Sequence, residues 1–134
     1  MDRATYDGYL AKFNARDYDA VLDYYADDFE LVFVGYRFTT REQVKAFYAY
    51  LHAHLDERIT IDRYISTDGM VAIEARVRLE GIRRPSDEER RASGYERMGI
   101  PPPGVVVEIP QFIHYHLKDG KIAGAYCAVF EPAA

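Results

Sequence analysis

At 134 residues the chain is about one domain long, and 49% hydrophobic with 29% charged residues is the balance of a folded globular protein, not a disordered one. A formal net charge of −5 excludes a general phosphate-binding surface, and so we expect no nucleic acid partner. The polar start (residues 1–5), the lack of any apolar run of membrane-spanning length and the lone Cys127 lead us to expect a cytoplasmic protein without membrane partner or internal disulfide.

In chain order, Tyr6, Tyr9, Leu10 and Phe13 recur at three and four residues and predict a first helix over 4–14. Asp17 can cap a second, with Ala20, Val21, Tyr24 and Tyr25 on its inner face and an end near Ala26-Asp27-Asp28. A short strand over 29–34 follows. Thr40 then precedes Glu42-Gln43 as the cap of a third helix, with Val44, Phe47, Tyr48, Leu51 and Leu55 on one side. Four long strands are predicted over 57–67, 70–83, 105–117 and 121–131, turning at Asp68-Gly69 and Asp119-Gly120. In the second of them Val71, Ile73, Ala75, Val77 and Leu79 alternate with Ala72, Glu74, Arg76, Arg78 and Glu80, so one face is apolar and the other charged. Helices first and an antiparallel meander afterwards make an α+β fold, in one domain over 1–134.

The connection over 84–104 is far longer than a hairpin loop. Ser86 with Glu89 forms a capping box, Ala92, Tyr95 and Met98 are spaced in threes, Gly99 can end the helix and Pro101-Pro102-Pro103 stiffens the return. This insertion is either a lid over a pocket or an interface.

The segment Tyr9-Leu10-Ala11-Lys12-Phe13-Asn14-Ala15-Arg16-Asp17 resembles the first helix and turn of ketosteroid isomerases, and Tyr25-Ala26-Asp27-Asp28 the end of their second helix. Asp119-Gly120-Lys121-Ile122 is similar to the turn before their last strand. The element order is that of the nuclear transport factor 2-like superfamily, which includes these isomerases and the SnoaL-like polyketide cyclases. The resemblance implies a cone-shaped α+β barrel, its curved and mainly antiparallel sheet wrapped on the N-terminal helices around a ligand pocket. It also implies that Tyr9 is the oxyanion-binding tyrosine, supported by Tyr48 and Tyr25 in a relay. The two carboxylate positions of the isomerases fall on Phe33 and Ile113 (Phe112 in the alternative register), and Glu30 points to the other strand face.

With Ile113 inward, Ile109, Gln111, Tyr115 and Leu117 face inward too, and Gln111 and Tyr115 become the polar contacts of an otherwise apolar pocket. Phe33, Phe47 and Cys127 complete the expected lining, Cys127 as an inert small hydrophobe. His52 and His54 flank the buried stripe of the third helix, and either could supply the missing base. His114 and His116, with Glu108 and Glu74, share the outer sheet face, which we read as solvated or dimer-forming surface and not as a metal site. No cofactor or metal is expected. Three functions stay open: an enzyme acting on a small apolar carbonyl compound (isomerase, cyclase or dehydratase type), a non-catalytic binder of a steroid-like, polyketide-like or aromatic ligand, and a dimerisation module. The first requires a proton acceptor on the cavity wall; the second requires none. A homodimer through Phe112, His114, Tyr126 and Phe130 fits all three.

Overall fold

The computed structural model describes residues 1–131. Its elements are α1 (Arg3–Asn14), α2 (Tyr18–Leu22), β1 (Tyr25–Phe33), β2 (Tyr36–Phe38), α3 (Arg41–His54), β3 (Leu55–Ser66), β4 (Met70–Gly81), α4 (Asp87–Ser93), β5 (Val106–Lys118) and β6 (Lys121–Val129). Local chemistry fixes the helix starts. Asp2, Asp17, Thr40 and Ser86 each accept a backbone N–H of the first turn, and Thr40 with Gln43 and Ser86 with Glu89 close reciprocal capping boxes.

The six strands form one curved, unclosed mixed sheet in the order β2-β1-β6-β5-β4-β3. The expected meander is present, because β3–β4, β4–β5 and β5–β6 all pair antiparallel. The sequence did not announce the parallel pairing of β1 with β6, nor the β1–β2 hairpin. Register shifts at Ile61/Arg63 and His116/Leu117 bend the long strands so that the sheet wraps the helices as a cone.

Period-two alternation sets the concave face. Val71, Ile73, Ala75 and Val77 of β4 stand opposite Tyr115, Ile113, Gln111 and Ile109 of β5. All of these but half-buried Ile109 are buried, and each large aliphatic side chain among them contributes roughly 1.5–3 kcal/mol. From the helices Tyr6, Tyr9, Phe13, Leu22, Val44, Phe47 and Leu51 close the core.

Two expectations are corrected. The second helix ends at Leu22, and Tyr25 is the first residue of β1, because the Tyr24 carbonyl accepts the Ile122 N–H and Tyr25 pairs with Ile122 of β6. The insertion helix ends at Gly94, whose φ of 80° is the left-handed C-cap, and not at Gly99. Beyond it the chain folds back on the core. The Tyr95 ring lies 5.1 Å from Phe47 and 5.7 Å from Tyr36, and Met98 and Ile100 pack alongside. The Pro101–Pro103 arm then crosses Gly81, which donates its N–H to the Val105 carbonyl and accepts from Gly104.

Candidate active site

The cone holds two chambers whose linings overlap at one place, the neck. The inner one, about 40 Å³, is lined by Tyr6, Tyr9, Tyr25, Tyr48 and Tyr115 among apolar neighbours, and it has room for a few atoms only. The outer one, about 220 Å³, is walled by Val34, Val77, Leu79, Ile109 and Met98 and opens towards the insertion. Phe33, Leu51, Glu57 and Gln111 border both.

Phenols dominate the inner chamber. Tyr9 and Tyr25 share a hydrogen bond of 3.2 Å, and Tyr6 and Tyr115 share one of 2.9 Å. Burial pushes the Tyr9 phenol up to about 12, while the hydrogen bond from Tyr25 and the proximity of Tyr115 hold it down. Burial likewise raises Tyr6, Tyr25, Tyr48 and Tyr115 above the ordinary phenol range, so all five hydroxyls stay protonated and able to donate at neutral pH. If Tyr25 donates to Tyr9, the Tyr9 proton is free to bond a ligand oxygen. The expected relay from Tyr9 through Tyr48 to Tyr25 is not formed. Tyr9 meets Tyr25 directly, and Tyr48 lines the chamber with its hydroxyl bonded to neither.

Glu57 is the residue that sequence reasoning missed. It sits third in β3, opposite Leu79, in the inward row with Leu55 and Ile59, and is buried among apolar side chains. The alternation Leu55, Glu57, Ile59, Ile61 was the available signal, a lone acid in an apolar inward row. Its Oε1 lies 2.8 Å from His52 Nε2, and His52 Nδ1 lies 2.6 Å from the Tyr18 hydroxyl. With Nε2–H donating to Glu57, a ring bearing no proton on Nδ1 accepts there from Tyr18 O–H, whose other neighbour is the Tyr48 carbonyl at 3.4 Å. The His52 ring stacks on Tyr48 and Tyr18 at 16° and 18°, with Phe13 edge-on, so it cannot swing away without breaking these contacts. Among the described residues Oε2 of Glu57 has no hydrogen-bond partner, and neither has the Gln111 amide. After burial, the Glu57 charge is what raises Cys127 and Tyr48 most, which places the carboxylate in the same small volume as the phenols.

The remaining candidates divide cleanly. Phe33, Gln111, Ile113, Tyr115 and Cys127 line the inner chamber. Phe33 and Ile113 therefore occupy cavity positions and carry no acid there. Burial pushes the Cys127 thiol up to about 12, so it is a neutral hydrophobe. Phe47 lines neither chamber; it sits behind Phe33 and Phe38, supporting the wall and the insertion. His52 reaches the site only through Glu57. His54 is turned the other way, with Nδ1 on the Tyr50 carbonyl and Nε2 against Arg83 at the base of the insertion. Glu30 lies outside the cone, where hydrogen bonds from Tyr126 and Arg37 hold its carboxyl below the usual range. On that face arginines engage Glu74 and Glu108, and among the described residues no three His, Cys, Asp or Glu side chains cluster as a metal site would need. Among the described residues no helix is long and apolar enough to cross a membrane.

A family model described as "SnoaL-like domain" matches residues 6–125. No curated protein matches the chain. Solved structures similar to it include a nuclear transport factor 2-like protein of unknown function from Burkholderia pseudomallei, at 14% identity over 97% of this chain and 92% of that one, TM-score 0.73. A protein proposed to be a polyketide cyclase from Pseudomonas putida is 21% identical over 91% of this chain and 86% of that one, TM-score 0.71. A protein from Catenulispora acidiphila with a ketosteroid isomerase-like fold, bound to trimethylamine, is 16% identical over 96% and 86%, TM-score 0.71. At these identities the likeness is one of fold.

Proposed function

Because the chain belongs to the SnoaL-like domain family, we propose that it is an enzyme acting by proton transfer on a small apolar carbonyl compound, in reactions of the isomerase, cyclase or dehydratase type. The observation that carries this is Glu57: a buried carboxylate with one free oxygen, in the same cavity as the paired phenols Tyr9 and Tyr25. The ligand carbonyl enters the inner chamber and accepts from Tyr9, and its α-carbon rests at the neck beside Glu57. Glu57 then takes the α-proton as the C–H electron pair moves into the enolate, whose oxygen Tyr9 stabilises. Gln111, with its amide free at the neck, orients the head group. His52 and Tyr18 hold Glu57 in place from behind.

This base replaces the two carboxylates whose positions are filled by Phe33 and Ile113. A non-catalytic binder would have a cavity wall without a proton acceptor, and Glu57 speaks against that reading. The insertion 84–104 acts as the lid, because Met98 walls the outer chamber and Tyr95 anchors the segment on Phe47. A second copy would cover the outer sheet face, where Phe112 and Phe130 are 42% and 44% exposed with rings 4.7 Å apart.

The test uses acetophenone in deuterium oxide, with loss of its methyl protons followed by NMR. The protein is expected to accelerate exchange, Glu57→Gln to remove about 100-fold or more of the acceleration, and Tyr9→Phe to remove at least about tenfold. An unchanged rate with Glu57→Gln overturns the assignment.

A further inference from the structure

We propose that the substrate carries a carboxylate at the end away from its carbonyl, and that Arg97 on the insertion is the residue that binds it. The inference rests on the reading above for the carbonyl end and adds the opposite end of the molecule.

The outer chamber has two charged residues on its wall, Glu57 at the neck and Arg97 at the mouth. Between them stand Leu51, Val77, Leu79, Met98 and Ile109, which offer no polar group to a ligand. Arg97 also borders the surface groove beyond the insertion, which fixes it at the outer end. Most arginines of this chain are engaged: Arg16, Arg37, Arg41, Arg63, Arg76, Arg78, Arg83 and Arg90 each meet a carboxylate. Among the described residues the Arg97 guanidinium meets none.

Its placement is built. The Arg97 backbone N–H donates to the Tyr36 hydroxyl at 3.0 Å. The guanidinium rests over Gly35, where a Cβ would stand 2.6 Å from Nη1 and would push the tip of this flexible side chain aside. The Tyr36 hydrogen bond and the anchored Tyr95 therefore fix the backbone that carries an exposed, planar, partnerless cation at the rim of an apolar chamber. Such a fork matches a carboxylate.

Charge also sets the direction of binding. A carboxylate placed at the neck would face Glu57 in a low-dielectric site, whereas at the mouth it meets Arg97. A molecule with a carbonyl at one end and a carboxylate at the other thus enters one way round, carbonyl first.

Calorimetric titration of the full chain with para-acetylbenzoate, its methyl ester and acetophenone tests this. The acid is expected to bind about tenfold more tightly than the ester, a difference of about 1.4 kcal/mol that shrinks as salt is raised. Arg97→Gln should erase the difference by weakening the acid, and Arg97→Lys should keep part of it. Equal affinities for acid and ester, or a preference that survives Arg97→Gln, overturn the proposal. If the ester and acetophenone bind in a Tyr9-dependent way while the acid shows no advantage, only the Arg97 assignment falls. If no probe binds, the proposed function falls with it.

Discussion

Glu57 and His52, five residues apart across the end of α3 and the start of β3, meet at 2.8 Å with side chains only 10% and 4% exposed. The His52 ring thus makes a short lateral clamp on a carboxylate that would otherwise be free to rotate in an apolar cavity. Tyr18, from α2, holds the far side of the ring. Three elements converge to fix one oxygen of Glu57 and leave the other for chemistry.

Tyr18→Phe keeps the ring stack and deletes one hydroxyl, so Nδ1 loses the donor that sets the tautomer. We expect kcat for acetophenone exchange to fall about tenfold with KM unchanged, since Tyr18 lines neither chamber. Stability should fall by about 1 kcal/mol, read from urea unfolding. A purely structural hydroxyl would lower stability and leave the kcat of the folded fraction unchanged. His52→Phe, which leaves Glu57 without its donor, is expected to cost more in both respects.

The phenols make the fold sensitive to alkali. Tyr6, Tyr9, Tyr25 and Tyr115 are all raised above 10.0 by burial. An unfolded chain gives up these protons near pH 10 while the folded one retains them, so their contribution is fully present below pH 10 and is lost as pH rises towards and past the folded values. The rise at Tyr9, from 10.0 to about 12, corresponds to about 3 kcal/mol. Thermal melts should show Tm steady to pH 9 and falling steeply above pH 10, with tyrosinate absorbance appearing together with unfolding. Phenols that titrate one by one in a protein still folded would contradict the buried network.

Gly81→Ala tests the hold of the arm on the sheet. A Cβ at Gly81 would overlap the carbonyl oxygens of Pro101 and Pro102, which are backbone and cannot rotate aside. The arm must lift, at a cost of about 1–3 kcal/mol, and carry the Arg97–Met98 wall with it. Limited proteolysis within 84–104 is expected to quicken several-fold relative to the parent, while Gly69→Ala, which meets nothing within 4 Å, should leave the digestion pattern unchanged.

Much of this architecture was legible because it is local. Asp17, Thr40 and Ser86 name their helix starts through side chains that bond N–H groups three residues on, and the alternation of β4 declares its buried face without reference to any partner. Tyr9 lines the cavity as helical spacing and the resemblance implied, and Gln111, Ile113, Tyr115 and Cys127 line it as strand period and the resemblance implied. Tyr25 shows where local reasoning stops. The helical spacing of Ala20, Val21, Tyr24 and Tyr25 continues past Leu22, but pairing with Ile122, some hundred residues away, extends the chain there instead.

The sequence by itself determined the order of the helices and of the four long strands, the inward rows of β4 and β5 and the presence of a phenol-rich interior, because caps, turns and two-residue alternation act between near neighbours. Only the tertiary structure decided which polar groups meet inside. Glu57 meets His52 and through it Tyr18, and the Arg97 backbone is tied to the Tyr36 hydroxyl beside Gly35. Each of these contacts joins residues on different elements, and their spacing is set by how the sheet bends and where the insertion lands. Residue pattern along the chain does not encode such distances; packing does.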